Sequence, residues 1–494
     1  MKLAELTEGI GTLLEPETGG LDINHLTHDS QKAQYGSIFV AIEGSRADGH
    51  EYIGAALQLG AVCVMTNRPE KVPCHVPIVQ VEDPRKAMAL IARRLNHHPD
   101  RHLRVIGITG TNGKTTFTYV VNYLLQPLGR SGRIGTLSYY NGVSEEKSTR
   151  TTPESSDMYR SLGEMVANQC RYASMEISSH GLTFERVLGL ELRYAVFSNL
   201  SHDHLDFHGD MESYFAAKHK QFDLLMEGGV AVINWDDPYG RRIKVPERAS
   251  AITYGRSGEA DLRFEIVDMS VKGTEFDVFW KGESARIHIP LIGAHNVYNF
   301  TSALAVVLSE GRPLESMAGK HPDLTPVPGR MELLDLGQDY GVIIDFAHTP
   351  DALDKVLLAC KETRPRKLIT VFGAGGGRDA QKRPEMGRIV DKMTDVMILT
   401  SDNPRFEAPE TIMDMIQEGV SRPLGETFFR DWDRREAITQ ALNLAQPGDL
   451  VLIAGRGHET TQEINGTHHP FNDRFVAAQA IQAQRKLKEA GGNV

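Results

Sequence analysis

The segment 107–116, Gly-Ile-Thr-Gly-Thr-Asn-Gly-Lys-Thr-Thr, follows an apolar run and opens a helical pattern. Glycines let the backbone fold tightly enough for its N–H groups to face phosphate oxygens, and a helix N-terminus adds to that field. In such a loop Lys114 reaches the β- and γ-phosphates of a nucleotide, and the Thr115 hydroxyl suits Mg²⁺. The spacing is not GxxxxGK[ST], because Ile108 stands five before Gly113; the form is GxxGTNGKT. A glycine-rich turn with an incidental lysine is the competing reading. The strand before and the helix after argue against it.

Polar residues gather at the ends of further apolar runs. Glu176 closes one, in Met175-Glu176-Ile177-Ser178-Ser179-His180, and Asn199, His202, Asp203, His204 and Asp206 follow another. Hard oxygen ligands such as Glu176 suit the Mg²⁺ that ATP chemistry needs, and clustered polar groups at strand tips are more often sites than decoration. Asp402-Asn403-Pro404-Arg405 follows the run 396–400; a guanidinium there pairs a carboxylate bidentately. Asn234-Trp235-Asp236-Asp237 reads equally well as a turn or a site. Asp29-Ser30 and the segment 44–49 read by themselves as turns, and Ala216-Ala217-Lys218 as helix with a surface lysine. In the segment 293–299 a helix cap explains one Asn, but two Asn plus His295 exceed what a cap needs.

The elements around these residues are strands alternating with helices. Runs at 37–42 and 61–65 enclose a helix near 55–57, a small α/β unit that ends in the polar stretch 95–100. From 104 the pattern is strand, glycine loop, helix, with further strands at 172–177, 194–199 and 230–234. The region 261–290 patterns as a β-hairpin insertion. A Pro-rich turn at 325–329 precedes renewed alternation, with strands at 342–345, 368–372, 396–400 and 450–454. This predicts an α/β protein with parallel sheets, whose ligands bind beyond the carboxyl ends of the strands.

The chain has 494 residues, enough for about three domains. Its net charge of −11 disfavours a general nucleic-acid binder. With 40% hydrophobic and 24% charged residues it has a sizeable core and is not largely disordered. No apolar stretch is long enough to span a membrane, and the first residues, Met1-Lys2-Leu3-Ala4-Glu5, lack a signal peptide's apolar core. The four cysteines form no CxxC pair, so neither a disulfide frame nor a zinc site is expected, and a cytoplasmic setting fits.

GTNGKTT is the signature loop of the Mur ligases, the ATP-dependent amide ligases of cell-wall precursor synthesis, and of the related folylpolyglutamate synthetases. The sequence resembles the Mur ligase family over nearly its whole length, most of all the branch that adds the third residue to the muramyl peptide. That resemblance implies a three-domain architecture: a UDP-binding domain (1–98), a central P-loop ATPase domain with a parallel sheet (99–329), and a Rossmann-like C-terminal domain for the amino acid (330–494). It implies that Gly110, Thr111, Asn112, Gly113, Lys114, Thr115, Thr116, Asn199, His295, Asn296, Arg330 and Asp345 serve ATP. Thr115, Glu176, His204 and a carbamylated Lys218 become ligands of two Mg²⁺ ions, with Lys114, Glu176, His204 and Lys218 catalytic. Ser30, Ser45, Arg46, Ala47, Thr151, Thr152, Ser178 and Arg186 become contacts of the UDP-muramyl peptide. Arg378, Asp402, Asn403, Pro404, Arg405, Gly455 and Glu459 become contacts of the amino acid, with Arg405 on its distal carboxylate. Domain closure would shield a reactive acyl phosphate from water.

Three residues depart from the family pattern: Gly377 stands where an acidic residue is common, Ala374 where Cys is, and Arg456 where Lys is. Gly377 makes the Arg378 loop more flexible. The resemblance predicts a monomer that adds meso-diaminopimelate to UDP-N-acetylmuramoyl-L-alanyl-D-glutamate, with ATP as co-substrate. L-Lysine in place of diaminopimelate is the nearest rival, and DNPR argues against it: lysine would leave the Arg405 cation unpaired, giving roughly a hundredfold preference. A ligase outside the cell wall, such as a folylpolyglutamate synthetase, is disfavoured by the N-terminal loops. A non-catalytic nucleotide-binding module is disfavoured by the intact Lys114, Thr115, Glu176, His204 and Lys218.

Overall fold

A computed structural model describes residues 1–44 and 47–491, with side chains through 486. The chain packs as two compact units, one made of Met1–Ala260 with Ser302–Gly311, the other of Asp261–Thr301 with the chain from Arg312 onward.

The first unit opens with a five-stranded sheet: β1 (Thr12–Leu13), β2 (His25–Thr27), β3 (Ser37–Val40), β4 (Ala61–Thr66) and β5 (Ile78–Gln80), in the order β1-β5-β4-β3-β2. Helix α1 (Pro84–Leu95) follows, started by Asp83, which caps two backbone N–H groups, and by Pro84 at the first turn. Its buried face, Met88, Ile91 and Ala92, shares one core with β3, β4 and the next sheet.

That next sheet runs through β6 (Arg104–Thr109), then, after helix α2 (Lys114–Leu125), β7 (Ser131–Ile134), β8 (Ser138–Tyr140), β9 (Glu145–Lys147), β10 (Tyr172–Glu176) and β11 (Leu192–Phe197). Helix α3 (Met211–His219) precedes β12 (Leu225–Asn234) and β13 (Ser250–Gly255). Within the unit the order is β13-β12-β11-β6-β10-β7-β8-β9, parallel except at β7-β8-β9. The strands β6 and β10 are apolar almost throughout and buried on both faces, as parallel strands must be. The carboxyl ends of β6, β10 and β11 lie side by side, with Glu176 paired to Ile108 and Phe197 to Thr109.

In the second unit the region expected as a hairpin is a three-stranded meander: β14 (Leu262–Ser270), β15 (Gly273–Trp280) and β16 (Glu283–Ile289), antiparallel throughout. Two tight turns close it, at Gly273 and Gly282. Helix α4 (Ala294–Ser309) follows, of which the part through Thr301 belongs to this unit and the rest to the first, and then β17 (Gly319–Lys320). The C-terminal part is built from β18 (Glu332–Leu333), β19 (Gly341–Asp345), α5 (Pro350–Glu362), β20 (Leu368–Phe372), β21 (Val396–Leu399), β22 (Phe428–Arg430), α6 (Arg434–Leu444) and β23 (Leu450–Ala454). The strand order is β18-β19-β23-β20-β21-β22, parallel except for β18.

Period-two alternation divides the burial. Ile343, Leu450 and Leu452 point to the face that α5 covers with Leu353 and Leu357; Ile344, Val451 and Ile453 point to the face that α6 covers with Ile438 and Leu442. A hairpin of β24 (Thr461–Ile464) and β25 (Thr467–Pro470) and helix α7 (Asp473–Gly491) complete the unit. A fully buried Arg434–Asp473 pair at 2.7 Å ties α6 to α7.

Candidate functional site

The loop between β6 and α2 is shaped by backbone conformations that only glycine adopts easily. Gly110 sits at φ +148, and a Cβ there would come 1.9 Å from Ser198 Oγ. Asn199 staples the loop: its Oδ1 accepts from Asn112 N (3.1 Å), its Nδ2 donates to Asn112 O (3.1 Å), and its backbone O accepts from Thr111 N (2.8 Å). Thr111 is locked to Ser201 in the same way. Lys114 folds back over the loop, and its Nζ donates to Gly110 O (2.8 Å) and Thr111 O (2.9 Å). Thr115 and Thr116 are buried in the first turn of α2.

Lys218 is not the surface lysine that an ordinary helix segment suggests. It is 2% exposed, and its Nζ donates to Gly110 O at 2.8 Å and lies 4.6 Å from the centre of the Tyr214 ring. Burial first, and then the Lys114 charge, drives its pKa well below the usual range for lysine.

Glu176, 1% exposed, accepts from Thr136 N (2.8 Å) and Thr136 Oγ1 (2.9 Å). Thr136, missed in the sequence, also meets Thr151 Oγ1 at 3.1 Å. The neighbouring Thr152 Oγ1 donates to Glu176 O and accepts from Ser178 N. His204 starts a short helix at φ +53, with its ring 5.0 Å from that of His180. Its pKa is lowered by burial, opposed by Asp203 and reinforced by Lys114 and Lys218. His180 is itself pushed down to about 4 by burial and the neighbouring His204 and His208.

Arg186 is not a free fork. Its Nε donates to Glu154 Oε1 at 3.0 Å, and Arg85 and Arg150 bind the same carboxylate at 3.0 and 2.7 Å. Three cations thus surround one buried anion, and the excess charge, rather than an unpaired Arg186, is what an acidic ligand would meet. Ser30 opens a short turn capped by Asp29, and Ala47 accepts from Gly44 N; Ser45 and Arg46 lie outside the described residues. The undecided 234–237 segment is a turn: Asp236 accepts from Arg256 N and Ser257 N, and Asp237 from Leu200 N, Tyr239 N and Gly240 N.

In the second unit, His295 and Asn296 open α4. Asn296 Nδ2 donates to Ile292 O (2.8 Å), and burial and Lys355 push His295 down to about 4. Arg330 lies 4.9 Å from the Phe346 ring centre, and its buried Nε has no partner. Asp345 accepts from Met331 N and Ala347 N, both at 2.7 Å; burial raises its pKa against the pull of Arg330.

The structure brings Asp402, Asn403, Pro404, Arg405, Gly455 and Glu459 together. Gly455, at φ +120, leaves room for Asp402 Oδ2, which a Cβ would approach to 2.6 Å; that oxygen is buried and has no hydrogen-bond partner. Asn403 Nδ2 donates to Glu459 Oε2 at 2.8 Å, and burial raises the Glu459 pKa. Arg456 is fully buried and donates to Asn403 Oδ1 (2.8 Å) and Thr461 O (2.6 Å). Arg378 stands apart: it is exposed and makes no hydrogen bond or ion pair among the described residues. The preceding Gly377 is set at φ +62 with its N–H on Glu407 Oε1.

One expectation is corrected here. Arg405 already has a counter-ion: its Nε donates to Glu463 Oε2 at 3.1 Å, and both side chains are 24% exposed. Lysine would not strand a bare cation. Glu463 escaped sequence reading because its role depends on β24, whose pairing places it beside residue 405.

Among the described residues no three His, Cys, Asp or Glu side chains converge closely enough to hold a metal. The donor set still fits Mg²⁺: Thr115 and Glu176 supply hard oxygens, and Mg²⁺ commonly takes one or two carboxylates and completes its shell with phosphate oxygens and water. Lys218 fits only with its amine converted to an anion.

Three family models match in succession: Mur ligase family, catalytic domain (22–95); Mur ligase middle domain (108–307); and Mur ligase, glutamate ligase domain (329–457). The chain belongs to the Mur ligase family. This Mur ligase is 41% identical over 476 residues to a UDP-N-acetylmuramoyl-L-alanyl-D-glutamate–2,6-diaminopimelate ligase of Solibacter usitatus, covering 95% of each chain. To the ligase of that name from Geobacillus kaustophilus it is 39% identical over 489 residues, 98% of this chain and 99% of the other. A solved structure titled as the same ligase matches with a TM-score of 0.69 at 32% identity, covering 98% and 99% of the two chains. A MurF ligase of Thermotoga maritima in complex with ADP matches with a TM-score of 0.64 at 19% identity, over 94% and 98%. The architecture is the three-domain Mur ligase fold, mixed α/β with parallel sheets. No helix among the described residues is long and apolar enough to cross a membrane.

Proposed function

We propose that this Mur ligase joins meso-diaminopimelate to the D-Glu γ-carboxyl of UDP-N-acetylmuramoyl-L-alanyl-D-glutamate, with ATP as co-substrate, in cytoplasmic peptidoglycan precursor synthesis, and that it works as a monomer. The observation that carries the amino-acid choice is the group around 402–405. Donors (Arg405, Asn403) and carboxylates (Glu459, Glu463) alternate there within hydrogen-bonding distance, a pattern that fits a zwitterionic distal end. The names of the full-length relatives agree.

The division into 1–98, 99–329 and 330–494 assigns UDP, ATP and amino acid respectively. Ser30, Ser45, Arg46, Ala47, Thr151, Thr152, Ser178 and Arg186 would hold the muramyl nucleotide. The 110–116 loop, Asn199, His295, Asn296, Arg330 and Asp345 would hold ATP. Thr115, Glu176, His204 and carbamylated Lys218 would hold two Mg²⁺ ions, which when bound supply charge neutralisation at the phosphates. Arg378 would supply a second contact to the amino acid.

The γ-carboxylate attacks the γ-phosphorus of ATP, ADP leaves, and an acyl phosphate forms. The substrate amine then attacks the acyl carbon, and inorganic phosphate leaves from the tetrahedral intermediate as the nitrogen loses its proton. Lys114 stabilises negative charge on the transferring phosphoryl group. At Lys218 the neutral amine adds to CO₂ and releases a proton, leaving a carbamate. The test is to incubate the protein with ATP, Mg²⁺, the UDP-muramyl dipeptide and either meso-diaminopimelate or L-lysine, and to weigh the product. A diaminopimelate adduct formed with one ADP per bond supports the reading; no adduct, or equal kcat/KM for both amines, overturns it.

A further inference from the structure

Arg405 holds an uncommon backbone conformation, φ +54, which side-chain-bearing residues rarely adopt. The β24 strand keeps it there: Arg405 N donates to Glu463 O at 3.0 Å, and Asn465 N donates to Arg405 O at 2.6 Å, across a parallel bridge to Ile464. The same strand fixes the side chains. Arg405 Nε is taken by Glu463 Oε2 at 3.1 Å and its Nη1 by Gly376 O, leaving Nη2 without a hydrogen bond.

Asn403 is oriented from two sides. Its Oδ1 accepts from Glu463 N (2.9 Å) and from Arg456 Nη1 (2.8 Å). With both lone pairs of that oxygen used, the carboxamide has only N–H to offer, and one N–H already points at Glu459. The valences left on Arg405 and Asn403 are therefore donors.

We infer that Glu463 is a positioning residue that determines specificity for the amino-acid substrate: its carboxylate aligns Arg405 while its backbone N–H, which Glu463→Ala and Glu463→Gln both keep, holds Asn403, so that the two present donors to a distal carboxylate. This rests on the function proposed above. Glu463 also compensates the Arg405 charge when a substrate lacks that carboxylate. Discrimination against lysine then comes from donor geometry rather than from a stranded cation. A distal methylene or ammonium finds only hydrogens on these two residues, whereas a carboxylate accepts from both.

The test is steady-state kinetics with meso-diaminopimelate and L-lysine on the unmutated protein, Glu463→Ala and Glu463→Gln, with thermal melting to verify folding. Glu463→Ala is expected to raise KM for diaminopimelate about tenfold, as for one lost charge-assisted hydrogen bond, with a smaller change in kcat and little change for lysine. Glu463→Gln keeps an acceptor for Nε and is expected to restore most of the selectivity. A Glu463→Ala protein that changes both amines equally, or neither, overturns the inference, as does a Glu463→Gln protein as defective as the alanine variant. Failure of the unmutated protein to prefer diaminopimelate is the separate result that overturns the proposed function itself.

Discussion

The ammonium groups of Lys114 and Lys218 converge on one acceptor: each donates to the Gly110 carbonyl oxygen at 2.8 Å. Two full positive charges on one peptide oxygen repel, and the residue with less access to water yields its proton more readily. Lys218, on α3, is that residue. A buried amine whose pKa is driven down gives up its proton more readily and is then nucleophilic, whereas a surface lysine stays protonated and inert.

Lys218→Ala is therefore expected to abolish ligase activity, while Lys218→Glu, or the alanine variant with a short-chain carboxylic acid added, regains part of it. The unmutated enzyme should lose activity in CO₂-free buffer and recover with bicarbonate. Rates indifferent to bicarbonate, together with an intact mass that shows plain lysine in active protein, would rule the carbamate out.

Lys114→Ala should fold and bind the muramyl nucleotide, yet lose turnover by several orders of magnitude, because Lys114 is the single cation that the 110–116 loop carries. Circular dichroism and a coupled ADP assay check both halves. Near-normal turnover in the folded variant contradicts the assignment.

Arg405→Ala should raise KM for meso-diaminopimelate and narrow the gap to lysine without producing an efficient lysine enzyme. The resident Glu463 and partial exposure reduce the loss from that of a bare buried ion to about 1.5–3 kcal/mol, roughly ten- to a hundredfold. Competition between the two amines, read by product mass, measures it. An unchanged product ratio would show that Arg405 does not select.

The strand–glycine loop–helix shape at 104–125 was legible in the sequence because its signals are local: strand, glycines, lysine and helix start lie within a dozen residues. So were the strand-tip polar groups, since apolar runs mark where parallel strands end. Lys218 was legible only by resemblance; its burial depends on how α3 packs against the loop. Glu463, Thr136 and the Glu154 partner of Arg186 were not legible at all. Each acts through strand register or a contact between residues far apart in sequence, and nothing in its immediate neighbours signals it. Departures from the family pattern were visible, but their effects were not: Gly377 suits a left-handed turn, and Arg456 became a buried clamp on Asn403.

A pH dependence follows from Glu310. Its side chain is fully buried and accepts from the Tyr172 and Tyr194 hydroxyls and from Arg104, the last two on β11 and β6. Burial pushes its pKa up, but Tyr194, Arg104 and Tyr172 together outweigh burial and hold it below the usual value. A carboxyl lowered on folding stabilises the protein above its unfolded pKa, about 4.3, and loses that contribution as pH falls below it. Glu310→Gln should lower stability at pH 7 by about 1–3 kcal/mol, and its melting curve should approach that of the unmutated protein as the pH falls below the usual carboxylate range. A difference that stays constant with pH would refute this.

The left-handed backbone at Arg405 also bears on mutational tolerance. Holding a side-chain-bearing residue at φ +54 costs on the order of 1 kcal/mol relative to glycine. The conformation favours glycine, which has no side chain to reach Glu463 or a ligand. Arg405→Gly should melt higher than Arg405→Ala, although glycine gains more freedom on unfolding. Glycine at 405 would relax the backbone but give up the side-chain bonds to Glu463 and Gly376, so one position sets local conformational ease against cross-strand fastening.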